Sequence, residues 1–147
     1  IYSVSQATIS RTIHRIEKTL LELEEPPPRT RILQKYTWLA RHLLEQVLPV
    51  DEERRMETII VIEFIRASRT RTVFAPSAAQ MARDLHDIIA AALDCLQVPN
   101  PNAAAQQVSS LVGGLTLDTV TPHGALTVCQ LRSTLRDALR NLLNVER

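Results

Sequence analysis

Glycine occurs only 3 times in the 147 residues, and aromatic residues make up 3% of the chain. That scarcity disfavours Gly-loop nucleotide binders and the aromatic-rich strands of β-sandwiches and barrels. The two cysteines, Cys95 and Cys129, are too few for a disulfide framework. They read as reduced, mostly buried thiols of a cytoplasmic protein. A net charge of +1 provides no general basic field for nucleic acid. The apolar run Ile59-Ile60-Val61-Ile62 is far too short to span a bilayer, and no signal-peptide pattern is present, so no membrane partner is expected. The first residue is Ile1 rather than Met, and a natural start is expected upstream.

Hydrophobic residues make up 45% of the chain and charged residues 22%, the balance of one ordinary globular domain able to bury its own core. Leu and Ala are frequent, which favours helices packed on helices. The 8 prolines fall at 26–28, 49, 76, 99, 101 and 122. Because proline breaks helix interiors and is accepted in first turns, these positions cut the chain into about six helical segments. The expected fold class is all-α.

The first segment runs from about Thr8 to Glu25, with an apolar stripe through Ile9, Ile13, Ile16, Leu20 and Leu23. The second runs from about Thr30 to Leu48. In the third, Asp51 is the N-cap candidate, Glu52-Glu53 form an acidic first turn, and the helix continues to about Ser68. Its centre, Ile59 to Ile62, is apolar all round, which predicts a helix in the middle of the domain. The fourth runs from Pro76 to about Leu96, the fifth begins after Pro101-Asn102 and ends near Thr121, and the sixth begins after Pro122-His123-Gly124 and runs almost to the end. Arg132, Arg136 and Arg140 flank the sixth as a solvated ridge.

No phosphate loop, HExxH, CxxC or nucleophile elbow occurs. His14, His42, His86 and His123 lie on different segments. The sequence therefore predicts no catalytic residues, no metal ligands and no cofactor.

Two stretches carry a family resemblance. The first is Leu48-Pro49-Val50-Asp51-Glu52-Glu53-Arg54-Arg55, leading into the third segment. The second is Ser110-Leu111-Val112-Gly113-Gly114-Leu115, followed by Val120-Thr121-Pro122-His123-Gly124-Ala125-Leu126-Thr127. Together with the order of helices, they resemble the C-terminal regulatory domain of the TetR family of transcription repressors, in its BetI-like branch. Gly113 stands where that branch usually has aspartate. The resemblance implies residues 16–147 as a ligand-binding and dimerisation domain. Residues 1–15 would be a remnant of a helix-turn-helix head, otherwise largely missing. Ser3 to Arg11 looks like a turn and recognition helix, and Ser5, Gln6, Thr8 and Arg11 are its candidate DNA contacts, although the family's aromatic pair is absent from the residues that follow.

The same resemblance implies a homodimer in which the last two helices pair with those of a second subunit. The candidate interface is Val108, Leu111, Val112, Gly114, Leu115, Val128, Leu131, Leu135, Leu139 and Leu142. Packing of these residues in the chain's own core is the alternative. The implied function is a ligand-responsive repressor that releases its DNA operator when a small-molecule effector binds, against a helical interaction module with no such site. The candidate pocket residues are Trp38, His42, Ile60, Glu63, Phe64, Met81, Leu85 and His86. Glu63 interrupts an apolar run, so it is either an anchor for a cationic or hydrogen-bonding ligand or the partner of an arginine such as Arg41, Arg66 or Arg83.

Overall fold

A computed structural model describes Ala7, Arg11, His14, Arg15, Lys18, Leu39 and residues 44–124 and 126–142. Five α-helices follow one another among them: α1 (Glu45–Val47), α2 (Glu52–Ser68), α3 (Ala75–Cys95), α4 (Pro101–Val120) and α5 (Val128–Leu142), with a 3-10 turn at Thr72–Phe74 ahead of α3. Ala7, Arg11, His14, Arg15 and Lys18 are also helical. The all-α expectation holds, and the four long helices start and stop close to where proline and capping chemistry predict. No helix among the described residues is long and apolar enough to cross a membrane.

Each boundary has a local cause. Asp51 adopts an extended backbone and its carboxylate accepts the Arg54 N–H at 2.8 Å, capping α2. Glu52 and Glu53 in the first turn and Arg66 in the last complement the helix dipole. The α2–α3 corner is closed by Phe64 and Phe74, whose tilted rings lie 5.6 Å apart.

Helix α3 ends in a complete Schellman motif: the Val98 N–H donates to the Leu93 carbonyl and the Gln97 N–H to that of Asp94. Gln97 takes the left-handed conformation there, with φ of 58°, where glycine is usual. Asn100, also left-handed at 52°, and Pro101 in the first turn then launch α4. At the start of α5, Thr127 and Gln130 form a reciprocal capping box, Gln130 N–H to Thr127 Oγ1 at 3.2 Å and Thr127 N–H to Gln130 Oε1 at 3.0 Å.

Helix α4 packs on α2, α3 and α5 and is the centre of the domain. The apolar run Ile59 to Ile62 pointed to α2 for that role. In the structure those four residues are only half-buried, and the buried residues of α2 are Glu57, Thr58 and Phe64. The core joins Ile89 and Leu93 of α3 and its C-cap Leu96, Ala105, Val108 and Val112 of α4, and Leu131, Leu135 and Leu139 of α5, with Leu39, Leu44 and Leu48. The α5 leucines recur every four residues and form its single buried stripe. Arg132, Arg136 and Arg140 are exposed beside it, as the ridge reading requires, and Arg132 reaches Glu45 of α1 at 3.0 Å.

Gly124 is required by close approach in the α4–α5 turn. A Cβ there would meet the Asp118 backbone at 2.5 Å. By contrast, a Cβ at Gly113 or Gly114 would meet nothing within 4 Å. Cys95 and Cys129 are both exposed, which corrects the expectation of buried thiols. Each lies outside the buried stripe of its helix, which is made of Ile89, Ala90, Ala92 and Leu93 in α3 and of three leucines in α5.

The α2 cap makes a measurable contribution. Replacing Asp51 by Ala should cost about 1 kcal/mol in urea unfolding, and by Asn much less. Hydrogen bonding to the Arg54 N–H, then the nearby guanidinium, holds the Asp51 carboxyl below its usual range despite slight desolvation. A lowered native pKa means the charge-linked stabilisation is full above the unfolded value, about 3.9, and is lost as pH falls through the native one. The gap between wild type and Asp51→Ala should therefore be flat near neutrality and shrink below about pH 4.

Candidate functional site

Helices α2, α3 and α4 diverge around a cavity of about 270 Å³, just below the usual range of small-molecule pockets, ~300–1,000 Å³. Each contributes one face at helical spacing. From α2 come Arg54, Glu57, Thr58, Val61, Ile62 and Ile65; from α3 come Met81, Ala82, Leu85 and Ile88; from α4 come Ser109, Val112, Gly113 and Thr116. Gln46 and Val47 of α1 close one end. The half-burial of Val61 and Ile62 now has its reason: the apolar surface of α2 faces this cavity instead of a packed neighbour.

The polar groups gather at the α1 end. Both Glu57 carboxylate oxygens accept from Arg15 Nη2 at 3.1 Å, and Arg15 also donates to the Gln46 carbonyl at 3.4 Å. The Glu57 side chain is 11% exposed and that of Arg15 26%. Arg54 donates through its terminal nitrogens to Asp51 and, at 3.2 Å, to Gln46 Oε1. Arg55 donates to the Thr119 carbonyl at 2.9 Å, satisfying the last turn of α4 and tying the start of α2 to it.

Of the eight candidate pocket residues, Met81 and Leu85 line the cavity. Glu63 is corrected: it is exposed on α2 and pairs with Arg66 at 2.7 Å, the surface form of the arginine-partner reading. Phe64 is buried against Phe74, while Ile60 and His86 are half-buried outside the lining. Trp38 and His42 lie outside the described residues, as do Ser5, Gln6 and Thr8; Arg11 is helical and exposed. Arg15, Arg54, Glu57 and Ser109 are the polar residues that the sequence reading missed. Arg54, Glu57 and Thr58 share the i, i+3, i+4 face of Val61, Ile62 and Ile65, so that spacing was the available signal.

The candidate dimer residues divide by burial. Val108, Val112, Leu115, Leu131, Leu135 and Leu139 are at most 5% exposed within the single chain and have no surface left to offer. Leu111, Val128 and Leu142 are half-buried and Gly114 is exposed. Leu117 of α4, 44% exposed, is a large apolar residue open to solvent. Among the described residues no group of three or more His, Cys, Asp and Glu side chains is placed to hold a metal ion.

The sequence profile of the BetI-type transcriptional repressor C-terminal domain matches residues 39–144, the stretch that builds the core and the cavity. The chain belongs to this family. This BetI-type domain is thus part of a TetR-family transcriptional regulator, not an enzyme. Its fold is similar to the crystal structure of a transcriptional regulator from Rhodococcus sp. Rha1, with a TM-score of 0.72, 17% sequence identity, and 96% of this chain and 82% of that one covered. At that identity the likeness establishes the shared fold. A search of the curated proteins finds no match.

The Arg15–Glu57 pair joins the BetI-type domain to residues far upstream. Urea unfolding of Arg15→Met, Glu57→Gln and the double variant should give a coupling energy of about 1–2 kcal/mol. Arg15→Met should be the more damaging single change, because it leaves a nearly buried carboxylate without its cation.

Proposed function

We propose that this chain is the effector-binding and dimerising part of a cytoplasmic repressor, which releases its DNA operator when a small molecule fills the α2–α4 cavity. One observation carries the reading: Glu57, on the cavity wall, is gripped by Arg15, which lies 42 residues before it and ahead of the family-matched stretch. A ligand that moves α2 therefore acts on the helical segment leading toward the N-terminus. In this division, residues 1–15 belong to the DNA-binding head and its linker, and residues 16–147 are the regulatory domain. The exposed, helical Arg11 suits a DNA-facing position. The effector shifts the equilibrium only by its differential affinity for the two arrangements.

The homodimer belongs to the same proposal. Its contact surface is the outward side of α4 and α5, through Leu111, Gly114, Leu117, Val128 and Leu142. Gly114 permits close approach of a second backbone, and a self-complementary patch on both copies closes a two-fold pair. Sedimentation should find a dimer that Leu117→Glu converts to a monomer with unchanged helical circular dichroism. A Leu117→Glu variant that stays dimeric overturns this surface.

The regulatory half of the proposal has its own measurement. The whole protein should bind duplex DNA with a sequence preference and an affinity that falls steeply with salt. Linkage requires bound DNA to weaken effector binding by the factor by which effector weakens DNA binding, about 5–150-fold for typical couplings. Equal effector affinity with and without operator DNA would eliminate the release mechanism. Absence of any effector binding would instead support the alternative, an interaction module.

A further inference from the structure

The chemistry of the effector can be narrowed from the polar atoms of the cavity; this step rests on the pocket reading above. Two buried side-chain atoms, Arg54 Nε and Ser109 Oγ, have no hydrogen-bond partner among the described residues, and both residues line the cavity. A buried donor without an acceptor is costly, so native structures satisfy nearly all of them. Helical hydroxyls have an easy local remedy, donation to the carbonyl one turn back. Ser110 and Thr119 of α4 both take it, at 2.9 and 2.7 Å. Ser109 does not. Arg54 likewise spends its terminal nitrogens on Asp51 and Gln46 and keeps Nε–H unspent. Two donors on opposing walls, α2 and α4, are thus left for something that enters between them.

Charge decides what that is. The Arg54 guanidinium already faces the Asp51 carboxylate, and Glu57 is held through both oxygens by Arg15. Among the described residues, an anionic ligand would gain no unpaired lining cation and would lie beside Glu57, and a cationic one would find the one lining carboxylate already engaged. Either would surrender its hydration for no counter-charge. The remaining wall is mostly aliphatic, through Val61, Ile62, Met81 and Leu85, with the hydroxyls of Thr58 and Thr116.

We infer that the pocket binds an uncharged, largely apolar molecule carrying a carbonyl acceptor (a ketone, ester or lactone), which meets the donors that Arg54 Nε–H and Ser109 Oγ–H leave in the cavity wall. This differs from a cation anchored on Glu63, one of the readings that the sequence leaves open.

Four probes of nearly one skeleton test the inference on the 147-residue chain, by calorimetry and by thermal shift. They are benzylacetone, a neutral ketone; butylbenzene, which has no acceptor; phenylbutyrate, an anion; and phenylbutylammonium, a cation. Benzylacetone should bind about tenfold more tightly than butylbenzene, the value of one well-made hydrogen bond, and more tightly than either ion. Ser109→Ala should remove most of that advantage while leaving butylbenzene binding unchanged. Arg54→Lys, which keeps the charge facing Asp51 but lacks Nε, should act in the same direction, with circular dichroism confirming that each variant is folded. Tighter binding of either ion than of the ketone overturns the inference and leaves the effector pocket standing. A ketone advantage that survives both substitutions also overturns it. Absence of binding by all four overturns the pocket reading itself.

Discussion

Helix α4 meets three other helices at once, and small side chains make that possible. Ala104 and Ala105 are buried near its start, with Val108 and Val112 in the following turns, against a face of α3 that carries Ile89, Ala92 and Leu93. Short side chains on such rows let two helix axes approach closely and bury the larger aliphatics between them. Leu131, Leu135 and Leu139 then close the remaining side from α5. Helix α2 meets α4 near its own beginning, where Arg55 reaches the Thr119 carbonyl, and the cavity lies between these two helices and α3.

That arrangement gives the pocket one firm end and one adaptable end. At the firm end, Asp51 caps α2 and Arg54 and Arg15 both reach Gln46 of α1. At the other, α2 runs out through the exposed Ile65 to a corner held by the Phe64–Phe74 contact. A wall fixed at one end and packed loosely along its length can respond to an occupant by tilting. Elements that move are drawn from the less densely packed parts of a fold.

Helix boundaries were legible in the sequence because they are written locally. Pro49 with Asp51, Pro76, Pro101 and the Pro122–Gly124 turn each mark a break within a few residues of an observed end. The stripe Leu131, Leu135, Leu139 was legible as a buried face, but not the identity of what covers it, since self-packing and pairing with a second copy leave the same pattern. The cavity was half legible: Met81 and Leu85, named from the sequence, line it, while Glu63 was singled out and Glu57 was not. The interruption of an apolar run marked Glu63, yet the helix turns that position outward toward Arg66. Glu57 is buried by virtue of Arg15, and a partner 42 residues away leaves no periodic trace. Centrality was misassigned for a related reason: β-branched residues on every side of α2 signal apolar surroundings, and a cavity lining satisfies that signal as well as a core does.

The burial of the α5 leucines within one chain has a consequence for assembly. A second copy would meet a finished subunit, not a half-built one, so partners can exchange without passing through an unfolded state. Association of that kind is governed by subunit concentration and by the outer surface alone. Drift of residues on that surface can then change the choice of partner while the core beneath it stays as it is.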